Sequence, residues 1–223
     1  MQTHVEAGDI ICLQEVSREW YSRLCVFFEK ARYFVQFAGY GSAGSGHMGV
    51  LVAWKVCDFR LMESSIVRVG DTLTDEDVPL DLRTASLAPA QTIYGRLSAM
   101  YHWIRREEAP VEPVSVIDAA KARDNCALFV CLRPSRGQEG VPACFWVATY
   151  HMPCVYGSRE KEAIAWAHVT GIRRLCVDRM HLQLPGEPTI PLILAGDFNS
   201  APSSVAYDML TTRGNADGLN LTR

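Results

Sequence analysis

Apolar and polar positions along this chain fall into short runs and helical stripes that follow one another unevenly. Asp9 to Val16 reads as a short apolar strand. Ser17 then stands as a helix N-cap, with Trp20, Tyr21, Leu24, Phe27 and Phe28 at helical spacing behind it. Tyr33 to Ala38 predicts a second strand, Met48 to Trp54 a third and Phe59 to Val69 a fourth, with a glycine-rich loop from Gly39 to Gly46 between the second and third. That loop fits no phosphate-binding spacing, so it and His47 read as surface. Cys126 to Leu132 predicts a buried strand, Pro134 to Gly140 its hairpin loop, and Ala143 to Tyr150 the returning strand. Ser158 is placed to cap a helix whose apolar stripe runs through Ile164, Ala165, Ala167, Ile172 and Leu175, and His168 on that stripe reads as a packed histidine. The prolines between Pro185 and Pro191 break the chain. Ile190 to Leu194 then predicts a buried strand, and Pro202 marks the approach to a last helix carrying Val205, Tyr207, Met209 and Leu210.

Residues 70–122 carry the weakest pattern. Asp71, Asp75, Glu76, Asp77 and Asp81 form an acidic stretch with few apolar partners, followed by Pro89, Pro110 and Pro113. Tyr94 to Ile104 is long enough for a short helix or strand. The stretch is expected to be an insertion between core strands, partly ordered, with its acidic cluster solvated because it lacks calcium-loop spacing.

Composition changes this picture little. The chain has 223 residues, 48% of them hydrophobic, and a formal net charge of -3, which suffices for the core of one domain. It lacks the strongly basic balance of many nucleic-acid binders; Arg105-Arg106 and Arg173-Arg174 are candidates for a local cationic groove, with a solvated surface the favoured reading of either pair. None of the eight cysteines (Cys12, Cys25, Cys57, Cys126, Cys131, Cys144, Cys154, Cys176) forms a Cys-x-x-Cys pair, so a zinc site has no support. With no apolar run long enough to span a bilayer, no membrane association is expected. A reducing intracellular compartment (cytoplasm, nucleus or organelle matrix) is the default.

Chemistry concentrates at two strand ends. Leu194-Ala-Gly-Asp-Phe-Asn-Ser-Ala-Pro202 puts Asp197 and Asn199 just past an apolar run, two apart, so that in an extended segment both point to one side. The same residue types also make ordinary turns. Glu15 ends the first apolar run in the same manner. If two such ends meet across packed sheets, their oxygens suit a hard cation such as Mg²⁺.

Leu13-Gln14-Glu15-Val16 together with Gly196-Asp-Phe-Asn-Ser-Ala-Pro202 resembles the endonuclease/exonuclease/phosphatase superfamily. Arg123-Asp124-Asn125, Ala148-Thr149-Tyr150-His151 and the Ser200-Ala-Pro-Ser203 run resemble its deadenylase-like branch. The resemblance implies an α/β (α+β) fold, a four-layer α/β/β/α sandwich of the DNase I-like type. It implies Mg²⁺, with Mn²⁺ as a substitute, on Glu15 and Asp197, and catalytic roles for Asp197, Asn199 and His151. The implied substrate is an RNA 3′ end or another phosphodiester. Family members begin with an Asn-bearing strand and end with a Ser-Asp-His strand, neither of which is matched here. Residues 1–223 are therefore expected to be a single incomplete domain with edge strands missing at both termini. Other phosphoester substrates on the same fold, or a non-catalytic binding module, are the alternatives.

Overall fold

A computed structural model describes residues 1–41, 48–87, 113–136, 142–181 and 189–211. The expectations for His47, for Tyr94 to Ile104 and for Arg105-Arg106 lie outside those residues.

Two sheets pack face to face. The first holds β1 (Ile11–Leu13), β2 (Tyr33–Tyr40) and β3 (Met48–Lys55) in the order β1-β3-β2, all antiparallel. The second holds β4 (Phe59–Arg68), β7 (Cys126–Pro134), β8 (Phe145–His151) and β9 (Leu192–Asp197) in the order β4-β7-β8-β9, antiparallel except for the parallel β8–β9 pair. A minor ladder pairs β5 (Ser86–Leu87) with β6 (Val114–Ser115).

The period-two pattern of each strand decides which layer its side chains enter. Val50, Val52 and Trp54 of β3 face Cys126, Leu128, Val130 and Leu132 of β7, and together they fill the space between the sheets. Leu51 and Ala53 face the other way, onto α1 (Gln2–Ala7) and α2 (Arg18–Lys30), through Val5, Phe28, Tyr21 and Leu24. On the far side, Ala127, Phe129, Trp146, Ala148 and Tyr150 pack against α3 (Val116–Lys121), α4 (Arg159–Met180) and α5 (Val205–Thr211). The result is the α/β/β/α sandwich.

The helix caps form as the local pattern predicts. Ser17 Oγ accepts from Trp20 N at 3.2 Å, and Ser158 Oγ accepts from Lys161 N at 3.4 Å. Four expectations are corrected. Trp20 is 58% exposed, because the buried stripe of α2 is Tyr21, Leu24 and Phe28, and Trp20 and Phe27 fall outside it. The strand at Leu192–Asp197 is half exposed rather than buried, since β9 borders its sheet among the described residues. The acidic stretch is not wholly solvated: Asp77 is 1% exposed, and Leu73, Val78, Leu82 and Leu87 of the same stretch enter the core. Arg174 is not a free surface cation: its side chain is only 34% exposed and is engaged within the chain. Its guanidinium donates to both Asp77 carboxylate oxygens and to the Thr72 carbonyl, clamping that stretch onto α4.

Candidate active site

The inner faces of the two sheets turn polar at one end. On β8 the inward positions run Val147, Thr149, His151, from apolar core to polar mouth. Because β8 and β9 are parallel, they end together, and the register sets His151 opposite Asp197. The ladder continues one step further through Met152 N donating to Asp197 O at 2.8 Å.

Gly196 explains itself in this register. A Cβ there would lie 2.0 Å from the Tyr150 carbonyl oxygen, so no other residue lets β9 approach β8 this closely.

From the first sheet, Gln14 Nε2 donates to Thr149 Oγ1 at 2.9 Å, tying the end of β1 to β8 across the sandwich. Continued alternation would send Glu15 outward with Ile11 and Leu13. Instead Glu15 takes a left-handed backbone at φ 56, and its Oε1 stands 3.8 Å from His151 Nε2. Asp197 Oδ2 stands 4.0 Å from the same nitrogen. Asn199 is also left-handed, at φ 44. It is brought to Asp197 by a turn, its N–H donating to Asp197 Oδ1 at 2.9 Å, and not by the two-residue strand period the sequence suggested. Each such backbone costs a non-glycine residue on the order of 1 kcal/mol, most for the Glu. Both lie at this mouth, where strained backbone re-aims functional side chains.

The Asn199 amide nitrogen donates to Met152 O at 2.8 Å and lies 3.0 Å from His151 Nε2. Tyr40 Oη lies 2.7 Å from His151 Nδ1, and Asn125 Nδ2 donates to the His151 carbonyl at 2.8 Å. The structure thus brings Glu15, His151, Asp197 and Asn199 together. His151 is only 6% exposed, whereas the side chains of Glu15 and Asp197 are 65% and 52% exposed. The carboxylates therefore keep their hydration and carry no burial cost.

The mouth is electronegative. Burial, and next the charges of Glu15 and Asp197 among others, push the Tyr40 phenol above its ordinary pKa. A phosphate cannot approach two carboxylates without a cation between them, and two carboxylates plus water suit a hard divalent ion. Among the described residues there is no group of three or more His, Cys, Asp and Glu able to hold a metal ion. Sequence reasoning quoted Gln14 and Thr149 only as motif members and placed Tyr40 in the glycine-rich loop, assigning none of them a role at the site. The available signal was Tyr40 closing a strand, and Thr149 two positions before His151 on one strand face.

The chain belongs to the Endonuclease/Exonuclease/phosphatase family, whose model matches residues 2–222. Members of that family are hydrolases of phosphodiester and phosphoester bonds and are in general dependent on divalent metal ions. Among solved structures the chain is similar to ANGEL2, a 2′,3′-cyclic phosphatase solved with adenosine-2′,3′-vanadate. The TM-score is 0.60 at 18% identity, covering 94% of this chain and 45% of that one. It is also similar to the human Nocturnin catalytic domain, with TM-score 0.53, 16% identity, and coverage of 92% and 56%. A functionally unknown protein from Enterococcus faecalis V583 matches with TM-score 0.54, 13% identity, and coverage of 94% and 60%. The chain therefore spans about half the length of these relatives. No curated protein sequence matches it.

Proposed function

We propose that this domain is a Mg²⁺-dependent phosphodiesterase that shortens RNA from its 3′ end, in the manner of deadenylases, with Mn²⁺ able to substitute. The observation that carries the reading is the convergence of Glu15 and Asp197 on His151, within 4.0 Å, from strands of two different sheets. Glu15 and the Oδ2 of Asp197 would hold the divalent ion. When bound, that ion supplies Lewis acidity toward a non-bridging phosphate oxygen. Asp197 would also orient the attacking water, its carboxylate fixed through Oδ1 by the Asn199 N–H. The Asn199 amide, fixed in place by the Met152 carbonyl, would turn its second N–H from His151 Nε2 to the charge that develops on phosphate. His151, at the strand end, would donate to the same phosphate once its Nε2 has taken up a proton. The RNA preference is supported by the Arg123-Asp124-Asn125 and Ser200-Ala-Pro-Ser203 resemblances and by a fold shared with ANGEL2 and Nocturnin.

The test is a substrate panel with the full chain and Mg²⁺: oligo(A) RNA, RNA ending in a 2′,3′-cyclic phosphate, abasic DNA and inositol phosphates. The expected result is progressive 3′ shortening of oligo(A), abolished by EDTA and lowered about 10³-fold or more by Glu15→Gln. Paramagnetic broadening by Mn²⁺ should map to Glu15 and Asp197. Turnover of another panel member alone would overturn the RNA assignment. No turnover and no broadening would leave a binding module.

A further inference from the structure

We infer that Tyr40 is a positioning residue for His151: its hydroxyl accepts the Nδ1 proton and so keeps Nε2 turned, unprotonated, toward Asn199 and the two carboxylates. The hydrogen-bond chain permits one arrangement. The Met152 carbonyl can only accept, so the Asn199 amide must present its nitrogen there, at 2.8 Å. That same nitrogen stands 3.0 Å from His151 Nε2, which makes Nε2 the acceptor. The neutral ring then carries its proton on Nδ1, and the atom waiting for it is Tyr40 Oη at 2.7 Å.

The contact is not incidental to packing. Tyr40 ends β2 in one sheet and His151 ends β8 in the other, so the bond crosses the mouth of the sandwich. His151 is 6% exposed, which leaves little access for water to replace a missing hydroxyl. Asn125 anchors the backbone of the same residue at 2.8 Å, so the ring, not the main chain, is what Tyr40 adjusts. Without the hydroxyl, a buried Nδ1–H has no acceptor. The proton then gains by moving to Nε2, where Glu15 Oε1 at 3.8 Å and Asp197 Oδ2 at 4.0 Å can attract it. That change turns the site-facing nitrogen from acceptor to donor and sets it against the Asn199 amide.

The inference rests on the preceding functional reading only in its kinetic arm. The experiment is long-range ¹H–¹⁵N spectroscopy of the full chain labelled at histidine, at a pH where the ring is neutral and with no divalent ion added. The native protein should show His151 with the proton on Nδ1. Tyr40→Phe, which keeps the ring and removes one oxygen, should shift the tautomer ratio about tenfold toward Nε2–H. Where turnover is measured, kcat should fall about tenfold with KM held within about twofold. An Nε2–H tautomer in the native protein overturns the inference without any variant, so it stays testable even if Tyr40→Phe does not fold. An unchanged tautomer ratio in folded Tyr40→Phe also overturns it, whatever happens to turnover. Failure of the phosphodiesterase reading looks different: the native protein turns nothing over while its tautomer, and the response to Tyr40→Phe, remain as described.

Discussion

Gly196→Ala is the substitution for which the structure makes the sharpest demand. The added Cβ would meet the Tyr150 carbonyl oxygen at 2.0 Å, its carbon at 3.0 Å and its nitrogen at 3.1 Å, all main-chain atoms that no rotamer change can move. Ordinary contact begins near 3.4 Å, so β9 and β8 must part locally by about 1.4 Å. Crowding of that kind costs about 1–3 kcal/mol. Parting the strands also weakens the adjacent ladder, including the Met152–Asp197 bond at 2.8 Å, at roughly 1 kcal/mol per bond. The expected loss of stability is therefore on the order of 3 kcal/mol, a large share of a domain's usual total. Because β9 borders its sheet among the described residues, the cheapest relief is for its last residues to swing outward, and those residues include Asp197. A displacement of about 1 Å at a reacting group commonly lowers the rate about a hundredfold. Urea denaturation gives the first quantity and amide exchange at Met152 reports the local opening. Gly39→Ala is the control, since its Cβ meets the Phe37 side chain at 3.1 Å and that ring can yield. A Gly196→Ala protein with native stability and native Met152 protection would refute the argument.

Two further outcomes follow from groups away from the mouth. His168 is fully buried, with Nδ1 accepting from Tyr150 and Nε2 donating to Ala120 O at 3.0 Å, and burial lowers its pKa from 6.5 to about 4. The unfolded chain takes up this proton first as pH falls, so stability is full above pH 6.5 and declines toward pH 4, by about 3 kcal/mol in all. His168→Gln should flatten that part of the stability–pH curve measured by denaturation. Arg174→Met should cost roughly 2–3 kcal/mol, because it strips the cationic partner from Asp77, which is 1% exposed. Adding Asp77→Asn should recover most of that loss, and a double-mutant cycle by urea denaturation checks it.

What the amino-acid sequence determines here is whatever depends on neighbours a few positions away. The strands of the sandwich follow from runs whose alternate residues suit two different layers, as Leu51 and Val52 do on β3. Ser17 and Ser158 cap helices through bonds three residues long, and His168 is legible as core because it shares a face with Ile164 and Ile172. The runs around Glu15 and Asp197 mark those residues for chemistry. Only the tertiary structure decides how they meet. Periodicity would turn Glu15 away from the cleft, and a left-handed backbone reverses it. Asn199 reaches its place by a turn closed on Asp197, and Gly196 is required by a carbonyl 46 positions earlier in the chain. Tyr40 touches His151 across 111 positions, and Arg174 rescues Asp77 from burial across 97. The last two are illegible in the sequence because each is set by the approach of two separate sheets or of a helix onto a distant segment, and local pattern carries no record of that distance.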